Sequence, residues 1–156
     1  MYVESLEYSP FKEGELLIGC SQLCGEVWNG KIVLIDSNGN ELSYLTEAGI
    51  NGVAWAGDSQ KPILLAASDD FTLSIFSKKT NNLAFQSKLE GHDDLVTSLF
   101  SLSPHTALTC SWDKTIRQWD LSTLQNTQII KGFSLLFPQI FILFQNYFKK
   151  KGTLEE

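Results

Sequence analysis

The chain has 156 residues, 43% of them hydrophobic, and a net charge of −6. That is enough apolar content for a folded core, which excludes an intrinsically disordered segment or a scaffold that depends on disulfides. The negative balance disfavours a phosphate backbone as ligand, so no direct nucleic-acid binding is expected, and it suits basic partners such as Arg- and Lys-rich protein tails.

Three cysteines, Cys20, Cys24 and Cys110, form no C-x-x-C pair, and no other Cys or His stands at metal-ligand spacing. They read as reduced core thiols, with no metal or cofactor required. The opening residues MYVESLEYSPFKEG contain neither a basic n-region nor an apolar h-region, so a cytoplasmic and nuclear address is expected.

In chain order, the first strand-like pair is GELLIGCS, ending at Ser21, and GKIVLID, ending at Asp36. These ends are 15 residues apart, whereas the comparable Ser68 to Ser77 and Ser111 to Asp120 are 9 apart, so six residues are inserted within Gln22 to Lys31, QLCGEVWNGK. The insertion puts Leu23, Glu26, Val27, Trp28 and Asn29 into an expected loop. An exposed loop Trp points to a partner contact, because its large rigid ring fills a pocket; the competing reading folds Trp28 back onto its own sheet.

Two further segments follow, Gly49 to Ser77 and Gly91 to Leu121. Shifting the chain by 43 residues aligns Val53 with Val96, Leu65 with Leu108, Ser68 with Ser111, Asp70 with Asp113, Thr72 with Thr115 and Phe76 with Trp119, and no gap is called for. The earlier copy is degenerate, with Ala48-Gly49 where the later one has Gly91-His92 and Phe76-Ser77 where it has Trp119-Asp120. LSTLQNTQIIKG, after Asp120, serves as an outer strand, and Gly132 stands where the next Gly-His pair would begin.

Beyond it, Phe133 to Phe148 holds 11 apolar or aromatic residues out of 16, followed by Lys149 to Lys151. Pro138, Gln139, Gln145 and Asn146 interrupt the run, leaving Ile140 to Phe144 as its longest pure stretch, well short of a membrane span. No membrane partner is expected. The tail reads as foreign to the repeat, helical or disordered, and derived from a retained intron, alternative splicing or a gene-model error.

His92, Ser111 and Asp113 are the residue types of a nucleophilic hydrolase. The expected arrangement is instead a buried structural tetrad with Trp119, in which Asp113 holds His92, His92 meets a strand hydroxyl and Trp119 closes the chain. Whether that hydroxyl is Ser111 or Thr109 depends on strand register, and Ser111 is preferred. No Walker loop, G-x-G-x-x-G, H-E-x-x-H or EF-hand spacing is present, so no catalytic residue is assigned and no enzyme is expected. The acid pairs Asp69-Asp70 and Asp93-Asp94 fit turns, where Asp caps backbone groups, and His105 fits an exposed turn.

A period of 43 residues with a Gly-His pair 28 residues ahead of Trp-Asp resembles a WD-repeat β-propeller blade. The expected fold is all-β, a partial propeller of about three four-stranded blades, near 1–48, 49–90 and 91–132, with 133–156 as a non-propeller tail. ELLIGCSQLCGEVWNGKIVLID, LTEAGINGVAWAG, LLAASDDFTLSIF and GHDDLVTSLFSLSP make the chain similar, over about residues 1 to 132, to the methylosome protein 50 family.

That resemblance implies a seven-bladed, non-catalytic adaptor that partners the type II protein arginine methyltransferase. It would help present histone and Sm-protein substrates for symmetric arginine dimethylation, with Trp28 as the aromatic residue inserted into the methyltransferase. The chain would be a truncated form, with about four blades absent. A generic WD-repeat scaffold such as a ubiquitin-ligase substrate receptor, or a non-functional splice product, are the alternatives.

Overall fold

The computed structural model describes residues 1–24 and 27–132, with the side chains of 24 and 27 left aside. Among the described residues twelve strands form three antiparallel sheets, each a meander in chain order. The first sheet holds β1 (Tyr2–Tyr8), β2 (Leu16–Cys24), β3 (Val27–Ile35) and β4 (Glu41–Thr46). The second holds β5 (Ile50–Gly57), β6 (Pro62–Ser68), β7 (Leu73–Lys78) and β8 (Leu83–Leu89). The third holds β9 (Val96–Ser103), β10 (Thr106–Ser111), β11 (Thr115–Asp120) and β12 (Gln125–Lys131).

Among the described residues there is no helix. The sheets stand side by side like a fan: β5 packs against both β1 and β9, while the outermost strands β4 and β8 barely touch. That wedge arrangement is consistent with part of a WD-repeat propeller.

Each sheet-to-sheet seam is an apolar core, as the alternation of the strands requires. Between the first and second sheets lie Leu17, Ile32, Leu34, Ile50, Val53, Trp55, Leu64 and Phe76. Between the second and third lie Ala54, Leu65, Ala67, Leu73, Val96, Leu99, Ala107 and Trp119. Polar ties cross the seams: Trp55 donates its backbone N–H to Glu7 Oε2 at 3.1 Å and its indole N–H to Glu7 O at 3.2 Å. Burial raises the Glu7 pKa, against the hydrogen bond from Trp55.

The register corrects the ungapped 43-residue alignment. Ser68 is opposite Ile50 and Ser111 is opposite Val96. Ile50, not Val53, is therefore the counterpart of Val96, and the first strands of these two sheets are 46 apart. The β5–β6 hairpin carries three extra residues. From Trp55 opposite Leu64 the chain runs nine residues, against six from Ser101 to its partner Ala107. Asp58 closes the longer turn by accepting the backbone N–H groups of Gln60 and Lys61, both at 2.8 Å. Counting back from Ile50 and Val96, Thr46 rather than Gly49 stands at the position of His92.

The tail reading, Phe133 onward, falls outside the described residues.

Candidate partner-binding face

The inserted residues that the structure describes do not form a loop. They lengthen β2 and β3, which run to nine residues each and keep ladder pairing up to Cys24 opposite Val27. Leu17 pairs with Leu34, 17 residues on, where Leu64 pairs with Phe76 and Ala107 with Trp119, each 12 on, so the ladder itself carries five extra residues, and a longer hairpin satisfies more backbone groups than a loop would. Leu23 and Trp28 are directly opposite one another on this hairpin, and both are exposed, Trp28 at 47%. Cross-strand neighbours of this kind share one face and present a single apolar surface. Asn29 Oδ1, beside them, is buried without a hydrogen-bond partner. Glu26, and the side chain of Val27, fall outside the described residues.

Trp28 does not plug its own sheet. Its indole N–H donates to Asp69 Oδ2, on the β6–β7 turn of the second sheet. Asp69 Oδ1 accepts Asn51 Nδ2 at 2.6 Å, and the same Asn51 amide reaches the Val96 carbonyl at 3.1 Å. Asn51 sits at a β-bulge between Ile50 and Gly52, which aims its side chain along the seam. Gly49 is required here, since a Cβ would run into the Asp69 carboxylate and the Trp28 indole nitrogen.

A Trp28–Asp69–Asn51–Val96 chain thus crosses all three sheets at one end. The turns at that end add two exposed aromatics that sequence reasoning missed: Phe71 at 41% and Trp112 at 55%. Phe71 adopts φ 70° and its counterpart Lys114 φ 64°, the left-handed conformation that this tight turn imposes on the same position in both sheets. The signal was available as bulky aromatics standing in turns, outside the apolar alternation.

Behind this face lies the polar network of the third sheet. His92, Asp113 and Trp119 come together, but the hydroxyl that joins them is Thr109, not Ser111. His92 Nε2 and Thr109 Oγ1 are 2.7 Å apart, and Trp119 Nε1 donates to Thr109 Oγ1 at 2.7 Å. His92 Nδ1 and Asp113 Oδ2 are also 2.7 Å apart. Ser111 instead donates to the Asp94 carbonyl at 2.8 Å and accepts the Asp113 backbone N–H at 3.1 Å. Thr109 and Ser111 share a sheet face two residues apart, and the setting of His92 along the strand selects the inner one.

One proton arrangement satisfies every group. Trp119 N–H donates to Thr109, Thr109 O–H donates to Nε2 of a neutral His92, and His92 Nδ1–H donates to the Asp113 carboxylate. Burial lowers the His92 pKa below 6.5, against the opposing pull of Asp113. Burial raises that of Asp113, but hydrogen bonds from Thr115, His92 and the Asp93 backbone outweigh it and bring it from 3.8 to about 2. Ser111, held by backbone partners, has no base beside it, so these residues do not form a nucleophile and base pair.

Elsewhere the acids cap turns. Asp120 Oδ1 accepts the N–H groups of Ser122 and Thr123 at 2.7 and 3.1 Å, and Asp36 Oδ1 accepts those of Asn38 and Asn40 at 2.8 and 2.9 Å. Among the described residues no three His, Cys, Asp or Glu side chains are grouped to hold a metal ion, and no helix is long and apolar enough to cross a membrane.

The family description "WD domain, G-beta repeat" matches residues 84–120, which run from β8 through the His92 network to Asp120. The WD repeat-containing protein 89 homolog of Dictyostelium discoideum is 29% identical over 118 residues, 75% of this chain and 30% of that protein. The small ribosomal subunit protein RACK1 of Schizosaccharomyces pombe is 38% identical over 63 residues, 38% of this chain and 20% of that one. The peroxisomal targeting signal 2 receptor of Komagataella phaffii is 30% identical over 70 residues, 42% of this chain and 19% of that one. The chain spans less than a third of the length of each of these relatives. Residues 84–120 thus carry a WD40 repeat, and the three four-stranded sheets are consistent with part of a WD-repeat β-propeller.

Proposed function

We propose that this WD-repeat chain is a non-catalytic adaptor of the methylosome, binding the type II protein arginine methyltransferase and helping present histone or Sm-protein substrates for symmetric arginine dimethylation. The observation that carries this reading is the lengthened β2–β3 hairpin, which holds Trp28 and Leu23 exposed side by side while Asp69 fixes the indole from the neighbouring sheet. A pre-fixed Trp loses little conformational freedom on binding and buries a large area, as interface anchors do.

Phe71 and Trp112, on the same end, extend the apolar surface across the second and third sheets. The negative charge of the chain suits Arg-rich substrates, and a cytoplasmic and nuclear location follows from those partners. Affinity capture of the tagged chain from cell extract, with the bound proteins identified by mass spectrometry, tests the reading. Recovery of the arginine methyltransferase is expected. Recovery of a ubiquitin-ligase assembly in its place would select the generic scaffold instead.

A further inference from the structure

The second sheet lacks the polar network of the third, and the lost side chains leave a space. At the seam between the second and third sheets, the Arg117 guanidinium and the edge of the Trp119 ring both pack against Gly91. A Cβ on Gly91 would come within 2.8 Å of Arg117 Nη1 and 3.2 Å of Trp119 Cη2. At the corresponding seam between the first and second sheets, the equivalents are smaller. Ser74 stands for Arg117, opposite Ala66 where Arg117 is opposite Thr109. Phe76 stands for Trp119, opposite Leu64 where Trp119 is opposite Ala107. Thr46 stands for His92 by register.

The result is a cleft of about 270 Å³, open to solvent and lined by Thr46, Glu47, Ser68, Asp70, Ser74 and Phe76 among others. That is room for one side chain rather than a large ligand. While His92 loads the Asp113 carboxylate in the third sheet, Asp70 has Thr72 Oγ1 at 2.6 Å and the partly exposed ammonium of Lys88 at 2.6 Å. Two carboxylates, Glu47 and Asp70, face one ammonium, Lys88, so the cleft keeps an acidic excess. Tyr44 and Phe85 form its aromatic wall around Phe76, with ring centroids 5.1 and 5.6 Å from that ring.

We infer that this cleft is a receptor site for an arginine side chain presented by a peptide, its guanidinium taking the place that Arg117 fills at the next seam. A planar cation stacks on the aromatic wall and offers a fork of N–H donors to Asp70, displacing the Lys88 ammonium into water. Lysine would bring a compact ammonium without the fork, and citrulline the same shape without the charge. The inference stands on the cleft and not on the methyltransferase reading, because the arginine peptide can be bound without the methyltransferase.

The test titrates the full chain with an acetylated, amidated Gly-Gly-Arg-Gly-Gly peptide, following backbone amide shifts at Asp70, Ser74 and Phe76. Saturable shifts at these positions are expected, with lysine and citrulline versions of the peptide binding at least about tenfold more weakly. Ser74→Arg, which supplies the guanidinium from within, is expected to abolish the shifts. Lys88→Ala, at an exposed site that does not threaten folding, is expected to tighten binding about threefold by freeing Asp70. No shifts up to about 1 mM peptide, equal binding of the citrulline peptide, or unchanged affinity in Lys88→Ala would each overturn the assignment. If Ser74→Arg does not fold, the citrulline and Lys88→Ala comparisons decide.

Discussion

Thr109→Val isolates the central hydroxyl of the buried network. The side chain is 0% exposed, its shape is nearly kept by valine, and its oxygen serves Trp119 Nε1 and His92 Nε2, both at 2.7 Å. The substitution orphans an indole N–H and an imidazole nitrogen where no water competes. At about 1–3 kcal/mol for each buried unsatisfied group, the expected loss is about 2–6 kcal/mol. For a chain of this size, a loss of about 3 kcal/mol lowers the melting temperature by roughly 6–12 °C. Ser111→Ala removes one bond to the Asp94 carbonyl and one from the Asp113 N–H, both nearer the surface, and about 1 kcal/mol is expected. Paired thermal melts by near-ultraviolet circular dichroism compare the two. A Ser111→Ala loss larger than that of Thr109→Val would refute the assignment of Thr109 as the link.

The pH dependence has a defined sign. His92 titrates below 6.5 when folded, so the unfolded chain takes up a proton that the folded one refuses. Denaturant midpoints should therefore decline as pH falls below about 6.5, and His92→Gln should flatten that slope. A second decline belongs between pH 3.8 and about 2, where unfolded Asp113 is protonated and folded Asp113 is not. Burial pushes the Cys110 thiol up to about 11 and raises that of Cys20 as well, so iodoacetamide at pH 8 should label both at least about tenfold more slowly in the native than in the unfolded chain. Gly49→Ala forces a methyl group against Asp69 and Trp28, and a stability loss of about 1–3 kcal/mol is expected in a urea titration.

The third sheet was the legible part of the sequence because its markers are the hydrogen-bonding groups themselves. His92 and Asp113 stand in the segments that flank the strands and Trp119 on β11, and the strand lengths between them fix the spacing that brings them together. The choice between Thr109 and Ser111 was not legible, since alternation tells one face from the other and cannot rank two residues on the same face. The three-residue difference in the β5–β6 hairpin was hidden for a related reason. Val53 and Val96 are chemically alike, and only the ladder pairing of Ile50 with Ser68 shows that they are not counterparts.

At the candidate site, residue counting found the insertion and singled out Trp28, but a count of inserted residues does not say whether they become loop or strand. Hydrogen bonding decided for strand, and that places Leu23 beside Trp28. Asp69 read as a turn acid; its bond to Trp28 spans 41 residues, a contact that no local pattern encodes. The inter-sheet cleft was likewise invisible, because it arises from what Ser74, Ala66 and Thr46 fail to fill.

Titration of purified type II protein arginine methyltransferase with the parent chain and with Trp28→Ala, by calorimetry, tests the adaptor reading most directly. A fixed, exposed tryptophan at the centre of the contact should cost about 2–4 kcal/mol when truncated, which is a weakening of about 30-fold or more. Circular dichroism and the melting temperature should change little, since Trp28 is 47% exposed and contributes one surface hydrogen bond. An affinity for the methyltransferase that is the same with and without the indole, in a variant that keeps its fold, would contradict it.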